Sequence, residues 1–173
     1  MSEHIRYAVG QSSLGAVIVA TSDRGLVAFE FGDRHSSLID ALRLRFPDAI
    51  AEEDDAGLSG TIEALAALVD HPEHRPDLAL DPRGSNYEHR VWDALSEIPA
   101  GGTASYGDIA AKLGAPREAR EVAEACAANP IAILIPCHRV VKKDGSLSGY
   151  RWGVTRKRTL LARERNVSTF PLA

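Results

Sequence analysis

A change of character near Arg83 constrains the fold of this chain more than any other feature. Residues 1–82 hold six Lys/Arg against fifteen Asp/Glu, and residues 83–173 hold fourteen against nine, a division that the net charge of −4 conceals. Before Arg83, short runs rich in β-branched and aromatic residues predict strands over 5–9, 14–20 and 26–31, separated by Gln11-Ser12-Ser13 and Ser22-Asp23-Arg24-Gly25. Beyond it, apolar residues recur mainly at helical spacing. Asp81-Pro82-Arg83-Gly84 reads as a linker between the two. The expectation is an α+β fold: residues 1–82 form an N-terminal α/β domain with a small antiparallel sheet, and residues 83–173 form a mainly helical domain.

In the first half, Ser37 and Ser59 precede the helical patterns Leu38/Leu42 and Ile62/Leu65/Ala66/Val69, with the acidic stretch 52–55 as a loop between them. His71-Pro72-Glu73-His74-Arg75-Pro76 has two histidines but no cysteine nearby, so no metal is assigned. In the second half, Ser85-Asn86-Tyr87-Glu88 is a capping box, in which serine and glutamate satisfy free amides at a helix start. The helix should run through Val91, Trp92 and Leu95 and end at Pro99-Ala100-Gly101-Gly102. A second box, Ser105-Tyr106-Gly107-Asp108, opens a short helix through Ile109 and Leu113. After Gly114-Ala115-Pro116 a third helix follows over 117–128. Two short helices joined in this way make either a helix-turn-helix or an ordinary helical hairpin. Thr155 caps a last amphipathic helix through Lys157, Leu160, Leu161 and Glu164, and a tail follows over 166–173.

The apolar run Ile131-Ala132-Ile133-Leu134-Ile135 reads as a short strand leading into Pro136-Cys137-His138-Arg139-Val140. A thiol there stands beside a titratable base and a cation. Cys137 is either a buried cap on the strand or a nucleophile. A thiol with pKa about 8.5 is mostly protonated at neutral pH, so nucleophilic use requires a base and a positive environment. From Arg139 to Arg165 nine Lys/Arg oppose only Asp144 and Glu164, which concentrates positive potential around the cysteine and makes a face suited to phosphate or to solvent. Cys126 and Cys137 are too few for a disulfide scaffold, and a reducing compartment keeps a thiol usable. The start Met1-Ser2-Glu3-His4 resembles no signal peptide and no run approaches the ~20 apolar residues of a membrane helix, so a cytoplasmic location is expected.

Asn129-Pro130, the run from Ile135 to Val141, Ser148-Gly149-Tyr150-Arg151-Trp152-Gly153, and Lys157 through Leu160-Leu161 to Glu164 together resemble the active-site region of the O6-alkylguanine-DNA alkyltransferases. Arg151-Trp152-Gly153 most resembles the transferase half of bacterial adaptive-response proteins. The resemblance implies a winged-helix-like helix-turn-helix and direct, single-turnover transfer of the methyl group of O6-methylguanine, and less readily of O4-methylthymine, from duplex DNA to Cys137. It implies no cofactor, no obligate protein partner and a monomer. The metal-binding and regulatory modules of the adaptive-response proteins find no counterpart, so transcriptional activation is not expected.

Residue by residue, the resemblance implies a relay of Cys137, His138, a water and Glu164. Glu164 beside Arg163 and Arg165 also reads as a surface ion pair. Tyr106 would donate to the leaving guanine and help rotate the nucleotide outward, and Arg120 would fill the space left in the base stack. Asn129 would tie the recognition helix to the cysteine segment, while Tyr150, Arg151 and the backbone at Val140 and Cys137 line the guanine pocket. Ala119, Ala123, Ala127 and Ala128 suit a helix entering a minor groove only about 6 Å wide, and Lys143 is assigned to DNA. Glu121 and Glu124 depart from the family's small residues on this helix and should weaken DNA binding, and Arg120 and Glu124 are spaced for an intrahelical pair. Tyr87 stands where the family usually has phenylalanine. Two other functions are weighed: a sensor that binds alkylated DNA without reacting, and a cysteine hydrolase unrelated to DNA.

Overall fold

The computed structural model describes residues 2–169, with side chains through residue 166. The chain separates into two compact units, Met1–Arg83 and Gly84–Ala173. The α+β class holds in both. Among the described residues no helix is long and apolar enough to cross a membrane.

The first unit is built on strands β1 (His4–Ser12), β2 (Gly15–Thr21), β3 (Leu26–Gly32) and β4 (Ile50–Glu53), in the order β3-β2-β1-β4. The three predicted strands are present and antiparallel. The sheet as a whole is not antiparallel, because β4 pairs parallel with β1, His4 opposite Ile50 and Tyr7 opposite Glu53. The acidic stretch expected to be a loop supplies this edge strand. Its residues are largely exposed, so it lacks the apolar alternation by which strands are recognised.

Helices α1 (His35–Arg45) and α2 (Asp55–Asp70) cover the sheet. Ile5, Tyr7 and Val9 of β1 share a core cluster with Leu38 and Leu42 of α1. Gly10, pointing the other way, faces Ile62 of α2, so the two helices take opposite faces. Both begin earlier than the serines suggested. Arg34 precedes α1, and Asp54 caps α2 by accepting from the Gly57 amide at 3.0 Å. Ser37 and Ser59 lie inside the helices: the carboxylate of Asp54 caps α2 in place of a hydroxyl, and α1 starts without a side-chain cap. Arg83 in the expected linker is pinned by Glu3 and Asp81, which push its pKa upward through hydrogen bonds and charge.

The second unit contains α3 (Asn86–Leu95), β5 (Ala104–Ser105), α4 (Tyr106–Lys112), α5 (Ala119–Ala127), β6 (Val140–Val141) and α6 (Val154–Thr169). Both capping boxes form, Ser85 with Glu88 and Ser105 with Asp108. Gly114 takes φ +80° after α4, a conformation that side-chain-bearing residues rarely adopt, and the chain turns into α5. Trp92 donates from Nε1 to the Ala125 carbonyl at 2.9 Å and ties α3 to α5. β5 and β6 pair in parallel, Ala104 opposite Val140 and Ser105 opposite Val141, which seats the start of α4 beside the cysteine segment.

Three expectations are corrected here. Residues 131–135 do not form a strand: Ile133 takes φ +68°, and the run coils through bonds such as Leu134 N to Ala132 O at 2.7 Å. All five side chains are buried, and a β-branched residue in the left-handed region is held only where its surroundings over-determine it. Cys137–Arg139 then form a single 3₁₀ turn. At the other end, α6 starts at Val154, so Thr155 lies within the helix, and it continues to Thr169 because no glycine or proline interrupts residues 154–169. Of the expected tail, 166–169 are helical and 170–173 lie outside the described residues.

Candidate active site

The sharp path of residues 129–137 is organised by Asn129. Its fully buried amide donates to the Ile135 carbonyl at 2.8 Å and to Cys137 Sγ at 3.2 Å, and its Oδ1 accepts from the Ile131 amide at 2.9 Å. One side chain therefore closes the turn and holds the sulfur. Cys137 is 4% exposed, but it is not sealed. Its side chain reaches the wall of a cavity of about 430 Å³, shared with Tyr106 of α4, Ala123 and Ala127 of α5, and Tyr150 and Arg151. Cys126, Ser148 and Gly149 complete the lining.

His138 and Glu164 lie behind this wall. His138 Nε2 is 2.6 Å from Glu164 Oε1, and Glu164 also accepts from Arg139 Nε at 3.0 Å and Nη2 at 2.9 Å. Arg139 Nη1 donates to the Ile98 carbonyl at 2.6 Å. Glu164 is 2% exposed, which removes the alternative of a surface pair with Arg163 or Arg165. Burial raises its pKa, but the hydrogen bonds and charges of His138 and Arg139 prevail and bring it down to about 2. Burial lowers the pKa of His138 below its ordinary value, so the imidazole is neutral at pH 7. With Nε2–H donating to the carboxylate, Nδ1 is the acceptor nitrogen, and this buried atom has no hydrogen-bond partner among the described residues.

The thiol itself departs from expectation. A basic neighbourhood was expected to lower its pKa, yet burial pushes it up to about 11, outweighing the hydrogen bond from Asn129 and the charges of Lys157 and Arg151. The physical reason is that several of the cations stand in solvent: Lys142, Lys143, Arg158 and Arg165 are exposed. Charges in water act weakly on a sulfur in a low-dielectric pocket.

The remaining predicted residues divide by place. Tyr106 is half-buried with its hydroxyl 2.6 Å from Ser148 Oγ, and burial raises its pKa. Tyr150 packs edge-on against His138 and Trp152, at ring distances of 6.5 and 5.2 Å. Arg151 donates to the Asn129 carbonyl at 3.3 Å and lies over the Trp152 ring. Val140 does not line the cavity; its carbonyl accepts from Lys157 Nζ at 2.6 Å. Ala119 and Arg120 stand on α5 outside the cavity, Arg120 being 87% exposed and 3.6 Å from Glu124. Lys143 lies on the exposed turn after β6.

In the sequence, Arg139 and Lys157 read only as members of the basic cluster, Ser148 reads only as part of a motif, and Cys126 has no place in the site. A buried lysine on an apolar helix face was the available signal for Lys157, since Leu160, Leu161 and Glu164 share that face. Arg139 and Ser148 lie in the motifs that carry the resemblance, but their partners Glu164 and Tyr106 are distant in the chain, and nothing local marks Cys126.

Residues 86–166 match the sequence model described as 6-O-methylguanine DNA methyltransferase, DNA binding domain. Over 160 residues the chain is 45% identical to the bifunctional transcriptional activator/DNA repair enzyme Ada of Escherichia coli, covering 92% of this chain and 45% of that protein. The chain thus spans less than half of that relative's length. It is 37% identical over 164 residues to the methylated-DNA--protein-cysteine methyltransferase of Methanosarcina barkeri, covering 92% of this chain and 97% of the relative. Among solved structures it superimposes on Mycobacterium tuberculosis OGT in complex with DNA with a TM-score of 0.77 and 36% identity, over 94% of this chain and 93% of the other.

Proposed function

Because the chain belongs to the methylated-DNA--protein-cysteine methyltransferase family, we propose that it repairs duplex DNA by moving the methyl group of O6-methylguanine, and less readily of O4-methylthymine, onto Cys137. The observation that carries this reading is the position of Cys137 in the wall of a cavity, with His138 and Glu164 fixed behind it. A volume of about 430 Å³ lies within the range of roughly 300–1,000 Å³ usual for small-molecule pockets, and the target base enters after leaving the helix stack.

The transfer is a displacement at saturated carbon. Cys137 is a thiol at rest, so its proton leaves first, passing through a water to His138 Nδ1, the route that the family resemblance implies. Glu164, with its pKa held down to about 2, is ionised near neutral pH and stabilises the imidazolium that forms. Asn129 Nδ2 then supports the thiolate. Sulfur attacks the methyl carbon as the carbon–oxygen bond opens, and the purine leaves as an anion to which Tyr106 donates. Tyr150 and Arg151 bound the base, and Asn129 keeps the cysteine turn in register with α5. The thioether that results has no activated leaving group, so each molecule acts once.

DNA binding is assigned to α4 and α5, with Tyr106, Ala119, Arg120, Ala123 and Ala127 at the groove and Lys143 toward phosphate. Transfer belongs to residues 83–173, and residues 1–82 support it. Two buried free thiols suit a reducing compartment such as the cytoplasm.

Intact-mass measurement after incubation with an O6-methylguanine duplex tests the reading. One added CH₂ on Cys137 is expected, and none on Cys137→Ser, which still binds the damaged duplex. Binding without modification of the wild type would make the protein a sensor instead.

A further inference from the structure

A line of hydrogen-bond donors runs from α6 to the cavity wall and has no part in the transfer as described so far. Lys157 is fully buried, and its ammonium reaches three neutral oxygens: the Val140 carbonyl at 2.6 Å, Ser148 Oγ at 2.9 Å and the Gly149 carbonyl at 3.3 Å. An ammonium has three N–H groups and no lone pair, so these three acceptors saturate it and it can only donate. The direction of the bonds beyond it follows. Ser148 Oγ accepts from Lys157 and has one proton to place, with Tyr106 Oη at 2.6 Å and the Val140 carbonyl at 3.4 Å. The tyrosine is much the nearer, and the carbonyl already accepts from Lys157. Once Ser148 donates to Tyr106, the tyrosine cannot donate back, and its own O–H is released toward the cavity that both residues line. Linked donors also polarise one another in a low-dielectric interior.

We propose that Lys157 and Ser148 are positioning residues that turn the Tyr106 O–H into the cavity, where it donates to the purine as the base leaves the methyl group. The proposal rests on the transferase reading above and extends it to two residues that touch neither the sulfur nor the methyl carbon. In the step, the Cys137 sulfur–carbon bond forms and the carbon–O6 bond breaks, its electron pair passing to the purine. The purine takes a proton from Tyr106. The phenolate left behind accepts from Ser148 beside the Lys157 cation, and the proton that His138 received from the thiol returns to Tyr106 through solvent after the base departs.

A double-mutant cycle on the full chain tests this, with single-turnover transfer from an O6-methylguanine duplex as the readout. Tyr106→Phe should slow transfer about 100-fold, in the range of a general acid. Ser148→Ala and Lys157→Met should each slow it roughly 10- to 100-fold, as one charge-assisted hydrogen bond would. In the Tyr106→Phe background neither should add more than about twofold, the margin within which independent effects ordinarily combine. Ser148→Thr, which keeps the hydroxyl, should be slowed clearly less than Ser148→Ala. Full slowing by Ser148→Ala on top of Tyr106→Phe would show that Ser148 acts elsewhere and would overturn the proposal. Should Lys157→Met fail to fold, as melting curves would reveal, the Ser148→Ala cycle decides alone. A wild type that accepts no CH₂ overturns the transferase reading and this proposal together; transfer with an additive cycle overturns only this one.

Discussion

His138 Nε2 lies 2.6 Å from Glu164 Oε1, and both side chains are almost wholly buried. Twenty-six residues separate them in the chain. The contact sets the tautomer of the imidazole and leaves Nδ1 as its acceptor, which is the property the proposed transfer requires.

That pairing makes stability depend on acid. Glu164 has its pKa held down to about 2, against 4.5 for the free side chain. A carboxylate lowered in the folded state contributes stability that is complete above about 4.5 and is lost as pH falls toward about 2, on the order of 3 kcal/mol in all. Glu164→Gln should remove this acid dependence and also destabilise the protein at pH 7 by about 3 kcal/mol, because Arg139 then loses its buried counter-charge. Urea denaturation of both proteins from pH 2 to pH 7 measures the two effects. An unchanged acid limb in the variant would contradict the assignment.

Cys137 should behave as an unactivated thiol in the free protein. With its pKa raised to about 11 by burial, the thiolate fraction grows about tenfold for each pH unit between 7 and 10. Carbamidomethylation of a Cys126→Ser variant, followed by mass spectrometry, should accelerate by that factor per unit and show no plateau near pH 8.5. A plateau below pH 8 would mean that the cations outweigh burial after all.

Asn129→Ala should be costly for folding as well as for transfer. It removes the acceptor of the Ile131 amide and a donor to the Ile135 carbonyl, both buried, at about 1–3 kcal/mol for each group left unpaired. A loss of roughly 3 kcal/mol in chemical denaturation is expected. A variant of wild-type stability would show that the turn around Ile133 holds without its side-chain bonds.

The carboxylates of α5 should oppose duplex binding. Arg120 and Glu124 stand 3.6 Å apart on an exposed face, a pairing worth only about 0.3–0.5 kcal/mol. Glu121→Ala with Glu124→Ala should tighten binding several-fold at low salt, with the gain shrinking as ionic strength rises. Fluorescence anisotropy over a salt series reads this directly. Equal affinities at every salt concentration would place these carboxylates away from the phosphates.

Some of the site was legible before any coordinates. The capping boxes Ser85/Glu88 and Ser105/Asp108 span four residues each, so their geometry is local, and both helices begin where the boxes put them. The helical pair flanking Gly114 was visible for the same reason. Other features were not. β4 is an exposed edge with no apolar period, and its pairing with β1 depends on a partner more than forty residues away. Residues 131–135 have the composition of a strand, yet Asn129 and burial on all sides draw them into a coil.

The sequence by itself determined which chemistry is available: a cysteine with a histidine beside it, a basic second half, and helices whose starts are written in adjacent residues. Only the tertiary structure decided how that chemistry is tuned. It brought Glu164 to His138, set Lys157 behind Ser148 and Tyr106 across forty-two residues, and enclosed the thiol so that burial overrode the surrounding charge. Helix signals act within one turn of chain, whereas a pKa sums desolvation and charge over everything packed around the atom, and no local window of sequence contains that sum.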